Sequence, residues 1–147
     1  MLQKDLVDCS QFFYQLLWEE CDELKREGIK VEDIPIFDDG YLCRLNIEEI
    51  RRVFDNLFSN LKKYADPNIP IAITGGYRED YICIIFKNIK RKSKVNTLSH
   101  KIGLKSMKEL IEKNEGFLDI HQTVTTYEME IRFKVKHHVN WYDNKNP

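Results

Sequence analysis

The 147-residue sequence has few residues that break or cross-link a chain: Gly 6, Pro 4 and Cys 4. The cysteines, Cys9, Cys21, Cys43 and Cys83, form no Cys-x-x-Cys pair, and three of them lie in apolar or amphipathic stretches. That spacing argues against a zinc site and for small buried thiols in a reducing compartment. An excess of one charge is also lacking. Lys+Arg 23 against Asp+Glu 24 gives no overall pull towards nucleic acid or a membrane surface. No apolar run approaches the ~20 residues of a membrane span, and the start Met1-Leu2-Gln3-Lys4-Asp5 is not a signal peptide. His137 and His138 lie in a polar stretch near the end, where adjacent histidines do not by themselves make a metal site. What remains is 42% apolar and 32% charged, an ordinary globular composition in a chain of one-domain length.

Periodicity orders the chain. Residues 10–27 place Phe13, Leu16, Leu17, Cys21 and Leu24 at helical spacing, and Gly28 stops that helix. Residues 29–37 read as extended, with Pro35, and Asp38-Asp39-Gly40 as a turn before a short strand at 41–45. Asn46 caps the next helix, and Glu49 three positions on completes a variant of the capping box. This helix runs to about Ala65 and ends at Asp66-Pro67-Asn68. Strands follow at 69–74 and 81–87. Gly75-Gly76 and residues 78–80 are read as the connection that makes them a hairpin. Residues 89–101 are polar and basic and read as a mobile loop. Residues 105–113 form a helix that ends at Glu115-Gly116, and strands occupy 117–122 and 127–136. In the last strand Tyr127, Met129, Ile131, Phe133 and Val135 face one way and charged residues the other, the pattern of a sheet with one buried face. The residues after it read as a loose tail. The expected class is α+β, a two-layer sandwich with a mixed, mainly antiparallel sheet and helices on one face. It forms one domain over 1–147, with its core at about 5–136.

The strongest helix carries a question. On a wheel of ~100° per residue, Ile50, Val53, Phe54, Leu57, Phe58, Leu61, Tyr64 and Ala65 share one broad arc. Asn60 falls at a border of that arc, with Asn56 and Lys63 a little further round. Asparagine competes for backbone groups and is a poor interior helix residue. A polar strip on the seam between core and solvent suits a half-buried site. There Asn60 can offer a hard oxygen to Mg²⁺ and Lys63 a positive charge to phosphate oxygens. Spacing alone is equally compatible with surface asparagines that are merely tolerated, at a few tenths of a kcal/mol each.

Order along the chain adds to this. "DNLFSNLKKY" resembles the N-box of the ATP-binding catalytic domain of sensor histidine kinases, in the GHKL superfamily. The family pattern Asn-Leu-x-x-Asn-Ala-x-Lys-Tyr is matched by Asn56, Leu57, Asn60, Lys63 and Tyr64, with Leu61 where alanine is usual. "LNIEEIRRVFDNL" resembles the family's entry to that helix. "IGLKSMKELIEKNEGFLDI" resembles the G2 motif with its helix and following strand. The resemblance covers nearly all of residues 5–136.

It implies a Bergerat fold that holds ATP and Mg²⁺. By position, Asn60 corresponds to the Mg²⁺-binding asparagine, and Asn56 would line the phosphate side. Lys63 and Tyr64 would flank the triphosphate and adenine regions. Gly103 and Leu104 correspond to the end of the G2 box, where backbone N–H groups at a helix N-terminus face phosphates. Asn88 stands where the adenine-reading aspartate is usual. It offers a carbonyl oxygen without the charge, and no glycine stands beside it. Lys101 and Glu115 replace two further family glycines. The short connection implies a reduced lid, in which Lys90, Arg91, Lys92, Lys94 and Lys101 offer charge to a triphosphate.

The activity implied is transfer of the ATP γ-phosphate to a histidine on a separate dimerisation hairpin of the same full-length kinase, with a response regulator downstream. None of His100, His121, His137 or His138 has the acidic neighbour of a phosphoacceptor box, and no residue is an obvious general base. The chain then corresponds to the catalytic module alone, in the cytoplasmic portion of a membrane-bound sensor. The dimer interface belongs to the hairpin, which allows a monomeric fragment. The departures at Asn88, Lys101 and Glu115 leave an alternative, a degenerate module that no longer binds nucleotide well and acts through protein–protein contacts.

Overall fold

Asp8 accepts a hydrogen bond from the Ser10 N–H at 3.1 Å and so caps helix α1 (Cys9–Arg26). The helix ends as its sequence suggests. Gly28, at φ +84°, donates to the Lys25 carbonyl, and Ile29 to the Leu24 carbonyl, each at 3.0 Å. This is a Schellman motif, and Leu24 and Ile29 at its two ends are both buried in the core. The structure, a computed structural model, describes residues 3–92 and 98–140, the side chains of 98–102 excepted. Its further elements are β1 (Asp5–Asp8), β2 (Tyr41–Leu45), α2 (Ile47–Tyr64), β3 (Ala72–Arg78), β4 (Tyr81–Ile89), α3 (Leu98–Lys113), β5 (Gly116–Gln122), β6 (Thr126–Lys134) and β7 (His137–His138).

The architecture is an α+β sandwich. A four-stranded antiparallel sheet, ordered β3-β4-β6-β5, buries Ile73, Ile82, Ile84, Phe86, Met129, Ile131 and Phe133 on one face. Helices α1 and α2 lie against that face. The Phe13 ring of α1 stacks between Phe54 of α2 at 5.8 Å and Phe133 of β6 at 5.5 Å. The sheet is less mixed than expected. Its strand pairs are all antiparallel, and the only parallel pairing among the described residues is an isolated bridge between Val31 and Ile71.

Several boundaries differ from the sequence reading, each for a physical reason. The hairpin turn is Glu79-Asp80 alone, both at positive φ. Gly75 and Gly76 lie inside β3, paired with Ile84 and Cys83. Gly75 is needed for packing, because a Cβ there would stand 2.6 Å from the Phe37 ring. Strand β1 was not anticipated. It pairs with β2, which also pairs with β7, to form a second, three-stranded sheet. Residues 137–140 are therefore not a loose tail, and His138 stacks on Tyr41 at 4.2 Å. Residues 141–147 lie outside the described residues. Helix α3 starts at Leu98 rather than 105, so much of the expected loop is helical. All four cysteines are free and buried, as expected.

The start of α2 is fixed by buried polar groups. Asn46 Oδ1 accepts from the Glu49 N–H at 2.9 Å, as the cap predicts. The reciprocal bond is different. The Asn46 N–H donates to Asn114 Oδ1 at 2.8 Å, so Glu49 does not complete a capping box. The Glu49 carboxylate, 3% exposed, accepts instead from Lys113 Nζ at 2.8 Å and Asn114 Nδ2 at 3.2 Å. Burial pushes the Glu49 pKa up. The bonds from Lys113 and Asn114 outweigh it and hold the carboxyl below the 4.5 of a free glutamate. The ionised form is therefore favoured by folding, and its contribution is complete above that value. It is lost as the pH falls through the folded pKa. Glu49→Gln should lower stability at neutral pH by about 1.5–3 kcal/mol. The gap should close as the pH falls below 4.5 and through the lower folded pKa. Urea midpoints measured across pH check this, and a pH-independent gap would contradict it.

Candidate functional site

A cleft of ≈ 550 Å³, counting its open mouth, lies between the last two turns of α2 and the ends of β4 and β6. Its floor is apolar, built from Leu57 and Leu61 of α2 with Phe86 and Met129, which oppose each other across β4 and β6. Its rim is polar: Asn60, Tyr64, Asn88, Lys90, Arg91 and Tyr127. The next inward-facing pair along the strands is Asn88 opposite Tyr127. The period-2 alternation that fills the core thus also turns a carboxamide and a phenol towards the cleft. Burial pushes the Tyr127 phenol up to about 12, so it is neutral and able to donate a hydrogen bond at physiological pH. Asn88 is 5% exposed, and its Nδ2 donates to the Ile89 carbonyl at 3.1 Å. That bond orients the amide, with Oδ1 as its remaining acceptor.

The segment after β4 is strapped across the end of α2. Asp66 N–H donates to Ile89 O at 2.8 Å and Arg91 N–H to Tyr64 O at 2.7 Å. Lys90 turns its Nζ to Gln122 Oε1 at 2.8 Å and Thr123 O at 2.7 Å. Arg91 Nε and Nη2 donate to the carbonyls of Ala65 and Lys62, each at 3.3 Å, at the helix C-terminus where cations are favoured. Lys90 and Arg91, read as loop charges for a triphosphate, are thus engaged in holding the walls of the cleft together. Lys92 is exposed. Lys94 and the side chains of Lys101 and His100 lie outside the described residues.

The cleft brings together Asn60, Tyr64 and Asn88 from the candidate site residues. Asn56, half-buried one turn earlier on α2, and Lys63, exposed, are not among its lining residues. Gly103 and Leu104 are placed differently from the sequence reading. Both lie inside α3, beyond its first turn, so their N–H groups are not free helix-start donors. Leu104 instead lines a separate groove with Leu118 and Ile120 of β5. Sequence reasoning missed Leu57, Phe86, Met129 and Tyr127 as lining residues. The alternation in β4 and β6 marks these strand residues as inward-facing but does not say which face a void. Among the described residues no group of three or more His, Cys, Asp or Glu could hold a metal ion. A divalent cation at this cleft would draw on the Asn60 amide oxygen, with water and an anionic ligand completing its shell. That is a habit of Mg²⁺, which keeps several waters and few protein ligands.

The fold is that of the catalytic domains of histidine kinases. The structure superposes on Acinetobacter baumannii histidine kinase AdeS with a TM-score of 0.68, at 13% identity over 92% of this chain and 69% of that one. The catalytic domain of histidine kinase ThkA gives 0.68, at 11% identity over 90% of this chain and 96% of that one. The mycobacterial sensor histidine kinase MprB gives 0.67, at 12% identity over 91% and 99%. In sequence the chain is similar to sensor histidine kinase YrkQ of Bacillus subtilis (strain 168), 28% identical over 129 residues, or 88% of this chain. It spans 30% of that protein's length. No family model matches the chain. In fold and in sequence the resemblance to the sensor histidine kinase catalytic domain, a Bergerat-type α+β sandwich, therefore holds.

The strap makes a measurable claim. Arg91→Ala leaves the last α2 carbonyls without their guanidinium and should cost about 1–2 kcal/mol in urea unfolding. Hydrogen exchange should show the amides of residues 62–65 losing protection. Unchanged protection there would show that Arg91 does not hold the helix end.

Proposed function

We propose that the chain is the ATP-binding catalytic domain of a two-component sensor histidine kinase, which presents the ATP γ-phosphate to a histidine on a separate dimerisation hairpin. The observation that carries this reading is the cleft itself. An apolar slot bordered by Asn60, Tyr64 and Asn88 lies between α2 and the sheet, in the fold of histidine kinase catalytic domains. Leu57, Leu61, Phe86 and Met129 offer a water-poor surface for a flat heterocycle. Asn88 Oδ1, freed by the bond from Nδ2 to Ile89, accepts from an exocyclic amino group such as that of adenine. Asn60 lies at the rim, half-buried, where a hard amide oxygen reaches a cation without a protein carboxylate.

Bound Mg²⁺-ATP would supply the transferable phosphoryl group and the cation that offsets its charge. This chain's residues contribute positioning and electrostatics rather than a covalent step. Lys90 and Arg91 keep the slot's walls in register through the strap. His121 on β5 and His137 and His138 on β7 are exposed, and none of them lines the cleft. The phosphoacceptor is accordingly assigned to the partner hairpin, and a response regulator to the step after it. No helix among the described residues is long and apolar enough to cross a membrane. The reading assigns the chain to the cytoplasmic portion of a membrane-bound sensor.

Calorimetry tests the proposal. Mg²⁺-ATP should bind, and omitting Mg²⁺ should weaken binding. Asn60→Ala and Asn60→Asp should each abolish the Mg²⁺-dependent part while leaving stability within about 0.5 kcal/mol for Asn60→Ala, as for a rim residue. No heat at about millimolar nucleotide overturns the reading in favour of a module that acts by protein contacts.

A further inference from the structure

Strand β5 forms one edge of the four-stranded sheet, and its outer side pairs with no strand among the described residues. Edges of this kind are usually defended by proline, lysine, a bulge or shortness. None of these defends β5. Its sequence, GFLDIHQ, contains no proline or lysine, and it runs in unbroken register with β6 from Gly116–Phe133 to Gln122–Tyr127. The opposite edge is treated differently. Just before β3, Ile71 exchanges 2.9 Å backbone hydrogen bonds with Lys30 and Glu32, and the Phe37 ring packs on Gly75.

Beside the open edge a groove of ≈ 640 Å³, counting its open mouth, separates β5 from α3. Its apolar side chains are Leu104, Leu118 and Ile120, all half-buried, and its polar ones are Lys105 and Lys108. On the other face of β5, Phe117 is 49% exposed. A strand laid beside β5 would satisfy the free backbone edge. It would send alternate side chains into the groove on one face and against Phe117 on the other. The groove's charge selects among occupants. Among the described residues Lys108 shares only an exposed 3.8 Å pair with Glu112, and no carboxylate lines the groove. Asp119, the acid of β5, is taken by Arg132 at 2.6 Å. A second copy of this chain would bring its own Lys105 and Lys108 to the same junction and be repelled.

We propose that the β5 edge is a docking site for an extended segment of a partner protein in which acidic residues, turned towards Lys105 and Lys108 of the groove, alternate with apolar ones that pack on Phe117, bound as a fifth strand of the sheet. The probes are three ten-residue peptides: one alternating valine and glutamate, one alternating valine and lysine, and the first with its backbone amides methylated. Hydrogen exchange of the whole chain should show the glutamate peptide protecting amides within 116–122, with neither of the others doing so. The double charge reversal Lys105→Glu with Lys108→Glu, on an exposed helix face, should weaken the glutamate peptide about tenfold and admit the lysine peptide. No protection at 116–122 by the glutamate peptide overturns the proposal. So does equal binding of the methylated peptide, since it cannot form the ladder. Concentration-dependent protection of the same amides without any peptide also overturns it and assigns the edge to a second copy of the chain.

Discussion

The position of α2 depends on a buried carboxylate. Glu49 lies in the first turn of the helix, and its two oxygens take hydrogen bonds from Lys113 and Asn114 at the end of α3. Asn114 also takes the N–H of the Asn46 cap and returns its own amide to the Leu110 carbonyl. The start of one helix and the end of another are thus joined by side chains that cannot be left unpaired in a buried setting without substantial cost. The far end of α2 is held as firmly, by the bridge between Ala65 and Lys90 and by the guanidinium of Arg91. A helix fixed at both ends offers its middle and last turns to the cleft in one orientation, as a site built by positioning requires.

The resemblance to the kinase family is informative where it fails. A carboxylate at position 88 would be buried beside a backbone carbonyl and would be costly to ionise. The amide present is neutral, and its Nδ2 binds that carbonyl. Two residues on from Asn88 the chain has a lysine and not a glycine. Lys90 turns its amine to the β5–β6 turn through Gln122 and Thr123. The larger side chain is accommodated by tethering its charged end to that turn.

Much of the fold was legible because it follows from period. The α1 core residues, the cap at Asn46, the stop at Gly28 and the strands around Tyr81 and Met129 all follow spacing rules that hold locally. What was not legible depends on partners distant in sequence. β1 and β7 are too short to show a period, and they are strands only because β2 lies between them. Gly75 and Gly76 look like a turn, and only the Phe37 ring explains one of them in a strand. The first turns of α3 contain Ser99 and Gly103, poor helix formers that hide its start. The site was legible in part for a geometric reason. Asn56 and Asn60 share a border of the wheel, but four residues advance a helix by about 6 Å. Only Asn60 reaches the level of the cleft.

The two sheets meet at a column of rings. Tyr41 of the small sheet lies between Tyr77 of β3 at 4.3 Å and His138 of β7 at 4.2 Å. The chain passes from one sheet to the other through Val135 and Lys136, and no strand of one ladders onto the other. No residue of the small sheet lines the cleft. The smaller sheet is nonetheless built into the same core: Cys43 and Leu45 of β2 are fully buried with residues of α1, α2 and the large sheet, and Asp8 of β1 caps α1. Displacing it would uncover Cys43 and Leu45 and take away the cap of α1 at the same time.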